Sequence, residues 1–194
     1  MEENAAAYRL TRSGLQGALL RYEPVAPLVA DRDDVIAFLK SGKSRSLGKI
    51  LNQQLSSLAT EIEASDIYVM DKSGQTVATS NFDLPRSFLD KNFRYRPYFT
   101  EAIAGRAATY FALGISSGKR GFYYSSPVHH DGKVIGVVVV KITVDAIEAS
   151  WKNNNHDVFV ADQHGIIFMA SRDEWRFKSI DPLSHFALTQ IEIS

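Results

Sequence analysis

Between Asn92 and Thr143 the chain gathers the side chains best suited to chemistry: Arg94, Arg96, Arg120 and Lys141, interleaved with Tyr95, Tyr98, Tyr110, Tyr123 and Tyr124. An apolar lining with a few convergent polar groups is the usual form of a small-molecule pocket. The convergent groups here are positive, so the expected occupant is a small anion. Arg96 stands immediately before Pro97, at a predicted helix start, where exposed amides and the helix dipole favour negative charge. Its guanidinium fork can hold a carboxylate through two parallel hydrogen bonds. The competing reading is a surface arginine paired with Glu101 or Asp90. Lys141 shares a strand face with Ile135, Val137 and Val139 by the period-two rule. A lysine there either snorkels from the strand end or is buried against a partner. Arg120 sits at a turn, where a ligand contact and a solvated charge are equally natural. Tyr110, Tyr123 and Ser125 point inward in one strand register only, and a one-residue slip reverses them.

The remaining chemistry is excluded by what surrounds these residues. Lys plus Arg is 22 and Asp plus Glu is 22, which argues against nucleic acid but permits a local basic pocket. With no cysteine, disulfides and thiol chemistry are ruled out. His129-His130-Asp131 reads as a hairpin tip rather than a metal site, because adjacent strand residues point to opposite faces. There is no spaced His/carboxylate set for zinc, no nucleophile elbow and no phosphate-binding glycine motif. Neither catalysis, nor a metal, nor a cofactor is expected. The longest apolar run, Val134 to Val140, stops at Lys141 and is far too short to cross a bilayer. The chain reads as a soluble piece of something larger.

The elements that must position the cations can be read in order. A helix over Ala5 to Glu23 lines up Tyr8, Leu15, Leu19 and Tyr22, and Pro24 with Pro27 ends it. A second helix covers Asp33 to Lys40. A third carries the stripe Leu47, Leu51, Leu55, Leu58 and Ile62, which serves either the core or a dimer contact. Asp83 with Pro85 signals another helix start. Asn92 to Tyr95 forms a loop, and Arg96-Pro97 opens a helix that Gly105 stops. Strands follow over Thr109 to Ile115, Arg120 to Val128 and Val134 to Thr143, the last two joined by a tight turn at His130-Asp131-Gly132. Asp145 caps a helix that runs out in the polar stretch Asn153 to Asn155, the best boundary in the chain. Asp181-Pro182 begins a last helix.

A repeat underlies this order. DIYVMDKSGQTVATS from Asp66 aligns without a gap on DVFVADQHGIIFMAS from Asp157, an offset of 91 residues. Asp66, Val69, Asp71, Gly74 and Ser80 recur as Asp157, Val160, Asp162, Gly165 and Ser171. Identities at both turn and strand positions indicate two copies of one supersecondary unit. The expected fold is therefore α+β: N-terminal helices followed by two tandem units, each on an antiparallel sheet. Residues 1–65 form the helical region, 66–150 the first domain, and 151–194 a smaller second domain packing on the N-terminal helices.

The segments NFRYRPYFTEAIAG, TYFALGISSGKRGFYYSSPV and GKVIGVVVVKI resemble the periplasmic sensor region of C4-dicarboxylate sensor histidine kinases of the DctB type, within the double PDC (dCache) family. The RPYF segment is common to many dCache sensors; its succession with YFALG and RGFYYSSPV is the more specific feature. The resemblance implies a long N-terminal helix and two tandem PAS-like (PDC) domains, a membrane-distal one binding succinate, fumarate or malate and a smaller membrane-proximal one. It also implies flanking transmembrane helices, a cytoplasmic kinase and a homodimer in the full-length protein. Carried over residue by residue, it implies ligand contacts from Arg96, from Gly114, Ile115 and Ser116 after the YFA segment, and from Lys141. Ser87 is carried over from the helix preceding the loop, and Phe93, Tyr110, Arg120, Tyr123 and Ser125 complete the expected pocket. This sequence departs from the pattern at Ile115, which stands where related chains often have a hydroxyl residue. The alternative within sensing is a dCache chemoreceptor domain for another small acid or an amino acid. An amino acid would need an acidic partner, for which the stretch from Arg94 to Lys141 offers mainly Glu101 and Asp131.

Overall fold

The structure, a computed structural model, describes residues 2–42, 44–114, 118–152, 156–162 and 165–181, with backbone alone for 2–7. The chain divides into two compact units, Gly17–Thr143 and a second formed by Met1–Gln16 with Val144–Ser194. The helices α1 (Glu2–Leu20), α2 (Val25–Ala30), α3 (Asp33–Lys40) and α4 (Arg45–Glu61) come first. The strands β1 (Asp66–Asp71) and β2 (Thr76–Thr79), the helix α5 (Pro97–Ile103), and the strands β3 (Ala108–Leu113), β4 (Arg120–His130) and β5 (Lys133–Thr143) follow. The second unit holds α6 (Asp145–Trp151), β6 (Phe159–Ala161), β7 (Ile167–Ala170) and a short 3-10 turn at Asp173–Trp175. No helix among the described residues is long and apolar enough to cross a membrane.

The first unit is one antiparallel sheet in the order β2-β1-β5-β4-β3. Strand alternation gives it two apolar faces. Ile67, Val69, Tyr124, Val138, Val140 and Ile142 face the helices, packing on Val29, Val35, Phe38, Leu51 and Leu55. The α4 stripe is thus largely core, although Leu47 stays exposed. The other face carries Tyr68, Met70, Tyr123, Val137 and Val139, covered by Phe88, Phe93, Tyr98 and Phe99. β5 lies at the centre of the sheet and is buried along most of its length, as its apolar run demands.

The repeat is visible bond by bond. Asp71 Oδ1 accepts from the Ser73 and Gln75 amides, and Asp162 Oδ1 accepts from the Ile166 amide. Gly74 and Gly165 take the left-handed conformation at φ 81° and 78°, which the turn requires and glycine supplies without strain. Ser80 Oγ accepts from the Ile67 amide, and Ser171 Oγ accepts from the Val158 amide. Both hairpins have a register shift at the same place, after Val69 and after Val160. The equivalence extends to the preceding helix. Asn52 of α4 accepts from the Thr79 amide at 2.8 Å, and Glu148 of α6 accepts from the equivalent Ala170 amide at 2.8 Å. In the second unit Arg176 closes the buried Glu148 carboxylate with a contact of 2.8 Å.

Three local expectations differ from the structure. The prolines after α1 do more than end it: Pro24 is the N-cap of α2 and Pro27 sits in its first turn, where a missing N–H costs nothing. Asp83 and Pro85 do not start a helix. The segment 80–91 runs as turns, because Asn81 Oδ1 takes the Phe88 amide and β2 exchanges backbone bonds with it (Thr76 N–H to Lys91 O, Asp90 N–H to Thr76 O). These tertiary bonds outbid the local helix signal. Ile135 leaves the Lys141 face and packs on the helix side, because the β4–β5 ladder shifts register between Val128 and His129 and leaves Ile135 without a paired residue. The helix expected from Asp181-Pro182 and the polar run Asn153 to Asn155 lie outside the described residues.

Candidate functional site

Arg96 is placed by a loop that the β1–β2 turn pins from below. The Phe93 amide donates to Gly74 O at 2.9 Å, Asn92 Nδ2 donates to Ser73 O at 3.0 Å, and the Arg94 amide donates to Asn92 Oδ1 at 3.0 Å. A Cβ on Gly74 would stand 2.6 Å from Arg94 Cβ, so only glycine lets the hairpin and the loop approach this closely. Arg96 is then the N-cap of α5, with extended backbone, followed by Pro97. Its guanidinium donates to Leu113 O at 3.3 Å and lies 5.2 Å from the Tyr95 ring centre. It is not paired with Glu101, which binds Arg106 at 2.8 Å. Arg96 is therefore drawn toward the end of β3, next to Gly114.

Tyrosines form the wall behind it. Tyr98 and Tyr123 stack with centroids 5.0 Å apart and 6° between planes, and Tyr68 shares a 2.8 Å hydrogen bond with the Tyr98 hydroxyl. Burial pushes the Tyr123 hydroxyl up to about 12, and burial raises Tyr98 and Tyr68 further. These hydroxyls stay protonated at any working pH, and those of Tyr98 and Tyr123 can donate to an anion, since the Tyr68 proton is given to Tyr98. Tyr110 pairs with Tyr123 across β3 and β4, and Ala108 with Ser125, so the inward register holds for all three candidate side chains. Ser125 Oγ is buried and donates to Tyr98 O at 2.9 Å, which ties α5 to the sheet.

Lys141 is the most buried cation described, at 0% exposure. It lies opposite Asp66 on β1 and opposite Tyr123 on β4, in the middle of the sheet. Its Nζ is 3.6 Å from Asp66 Oδ2 and 5.5 Å and 5.8 Å from the Phe88 and Tyr123 ring centres. Of the two sequence readings, burial against a partner is the one the structure has. Burial lowers the pKa of the ammonium; Asp66 opposes this, while Lys119 and Arg96 add to it. Arg96 and Lys119 therefore lie within electrostatic reach of Lys141. Gly121 makes the space: a Cβ there would stand 2.7 Å from Ile142 O and 3.3 Å from Lys141 Cε. Since Ile142 O is backbone of the neighbouring strand, Gly121→Ala is expected to cost about 1–3 kcal/mol of stability, as overpacking does. Urea denaturation checks this, and an unchanged midpoint would show that the notch is not tight.

The other candidates fall as follows. Phe93 is buried edge-on to Phe88, a prop of the site's floor. Arg120 keeps the alternation of Phe122 and Tyr124, on the face opposite Tyr123 and Lys141. Ser87 lies in a turn rather than on a helix, and its Oγ accepts from the Leu89 amide. The Gly114 amide donates to Lys119 O at 2.9 Å, and Ile115 and Ser116 lie outside the described residues. Sequence reasoning passed over Asp66 and Asn81. Asp66 was visible as the first residue of the repeated hairpin, but its place beside Lys141 follows only from strand register. In the second unit the equivalent Asp157 instead pairs with Arg172, at 2.7 Å and well exposed. That unit has a cavity of about 670 Å³ lined by Tyr8, Arg12, Leu15, Phe159 and Val160 among others, with Arg12 the one lysine or arginine among the described residues that line it.

A family model described as Cache domain matches residues 11–192. The chain belongs to the Cache domain family. As a Cache domain it is most informative beside three similar proteins. The C4-dicarboxylate transport sensor protein DctB of Pseudomonas aeruginosa is 36% identical over 183 residues, covering 94% of this chain and 30% of that protein. The sensor domain of the V. cholerae histidine kinase DctB is 37% identical with a TM-score of 0.92, covering 98% of this chain and 74% of that one. The ligand-binding domain of the Campylobacter jejuni chemoreceptor Tlp3, solved with 4-methylisoleucine, has a TM-score of 0.66 at 18% identity, covering 89% and 70% of the two chains; it shares the Cache fold. The chain spans about 30% of the length of the curated relatives it matches. Its sequence and fold are those of a DctB-type sensor domain, and the α+β architecture expected from the repeat is the architecture of that domain.

Proposed function

We propose that this Cache domain is the periplasmic sensing region of a two-component sensor histidine kinase controlling dicarboxylate transport, and that it binds a C4-dicarboxylate such as succinate, fumarate or malate. The supporting observation is a fully buried Lys141 on the sheet face that carries Tyr68 and Tyr123, with Arg96 near enough to act electrostatically on Lys141, Tyr98 and Tyr123. Two separated cations match a ligand with a carboxylate at each end. We assign one carboxylate to Arg96, with the backbone at Gly114 and the hydroxyl of Ser116, and the other to Lys141. We read the sheet of 66–150 as the membrane-distal, ligand-binding domain and 151–194 as the membrane-proximal one.

The amino-acid alternative needs a carboxylate free for an ammonium group. Glu101 is committed to Arg106, Asp131 sits on the β4–β5 turn, and Asp66 already faces Lys141. Calorimetry on protein freed of co-purified ligand should give saturable heat with at least one of the three dicarboxylates, at about one ligand per chain. Silence with all three would end this reading. In the whole protein we expect a homodimer contact along α1, whose Tyr8 and Leu10 are exposed. Cysteine cross-linking of the full-length protein should capture α1 against its symmetry mate; efficient cross-links elsewhere with none along α1 would refute the contact.

A further inference from the structure

Asp66 is a buried carboxylate at the start of β1, on the same sheet face as its cross-strand partner Lys141. Its surroundings fix it tightly. Ser65 Oγ donates to Oδ2 at 2.7 Å, and Asn81 Nδ2 donates to Oδ1 at 2.7 Å. Asn81 is itself locked, its Oδ1 accepting from Thr79 Oγ1 at 2.9 Å and from the Phe88 amide at 2.9 Å. The Phe88 ring so positioned lies over Lys141 Nζ. Carboxylate and rings thus flank one ammonium, while Gly121 lets its stem pass.

We propose that Asp66 is the positioning residue of the site: locked by Asn81 and Ser65, it holds the Lys141 ammonium charged and aimed, so that a dianion meets a cation rather than a neutral amine. This role rests on the dicarboxylate reading for its consequence in binding. The groups facing Lys141 are Asp66 and Tyr68 from β1, Tyr123 from β4, Lys119 from the β3–β4 turn, and Arg96 and Tyr98 from the start of α5. Burial, Lys119 and Arg96 all favour loss of the lysine proton, and Asp66 opposes it. The tyrosines remain neutral and do not compete. Removing the Asp66 charge therefore lowers the pH at which Lys141 deprotonates. Above that pH, affinity for a dianion falls about tenfold per pH unit, because only the protonated form binds it. Below it, affinity is held or rises, since a carboxylate that repels the ligand has gone.

The test is Asp66→Asn, close in shape and still an acceptor for Asn81. Succinate affinity is measured by calorimetry from neutral to alkaline pH, and Lys141 is titrated by NMR through ε-13C-lysine in the ligand-free protein, with Lys141→Met for assignment. The expected result is an alkaline loss of affinity beginning at lower pH than in the parent, with the Lys141 titration shifted the same way. A constant factor lost at every pH, or an unmoved Lys141 titration, would make Asp66 a structural acceptor only and overturn the proposal. If the parent binds no dicarboxylate the functional reading fails, and the NMR titration still decides the role of Asp66. Asp66→Ser, which keeps an oxygen for Asn81, carries both measurements if the asparagine variant does not fold.

Discussion

Lys141→Ala is expected to weaken succinate binding by about 30-fold to several thousand-fold. The range corresponds to the roughly 2–5 kcal/mol lost when one member of a buried, hydrogen-bonded charge pair is removed, at about 1.4 kcal/mol per tenfold. The upper part is favoured here because Lys141 is fully buried and Asp66 would remain. The ligand carboxylate would then face a second carboxylate across the vacated space, so repulsion adds to lost attraction. Lys141→Arg should not rescue it. A planar guanidinium is bulkier than an ammonium, and Lys141 Cε already sits 3.3 Å from where a Gly121 Cβ would stand. Calorimetry of the three proteins with succinate decides the matter. An alanine variant within about threefold of the parent would mean that Lys141 serves only its pair with Asp66.

What could be read from the sequence here was whatever chemistry is local. The hairpin repeat was legible because Asp71 and Ser80 accept from amides within their own hairpin, as Asp162 and Ser171 do in theirs, and Gly74 and Gly165 take the left-handed turn positions. Arg96-Pro97 was legible because an N-cap followed by proline is a local signal. The face of Lys141 was legible from strand alternation, but its partner was not, since Asp66 meets it only through the β1–β5 register. Non-local bonds also explain the misread segment after Asp83: Asn81 captures the Phe88 amide and β2 takes the backbone at 90 and 91. The bulge at Ile135 erased a face assignment that period two alone would make. The candidate site was therefore visible as a set of cations, while the carboxylate that stands beside one of them was not.

Butyrate is expected to bind the parent protein far more weakly than succinate, and Arg96→Ala to bring succinate down toward the same level. The two results have one cause. A monocarboxylate meets one cation and forgoes the charge contact with the other, which is worth about 2–5 kcal/mol at a buried pair. Removing Arg96 leaves the converse, an unpaired ligand carboxylate against the Tyr98–Tyr123 wall. Arg96 is only half-buried and its guanidinium also bonds Leu113 O, so its loss should fall below that of Lys141, nearer the 30-fold end of the roughly 2–5 kcal/mol range. Arg96→Lys should recover part of the affinity, keeping the charge but not the two-pronged grip. Arg120→Ala supplies the contrast. Its side chain keeps to the opposite sheet face, so succinate affinity should change by less than about threefold. All four proteins are compared by calorimetry with both ligands. Butyrate matching succinate on the parent, or Arg120→Ala losing as much as Arg96→Ala, would show that the ligand is not gripped at both ends by Arg96 and Lys141.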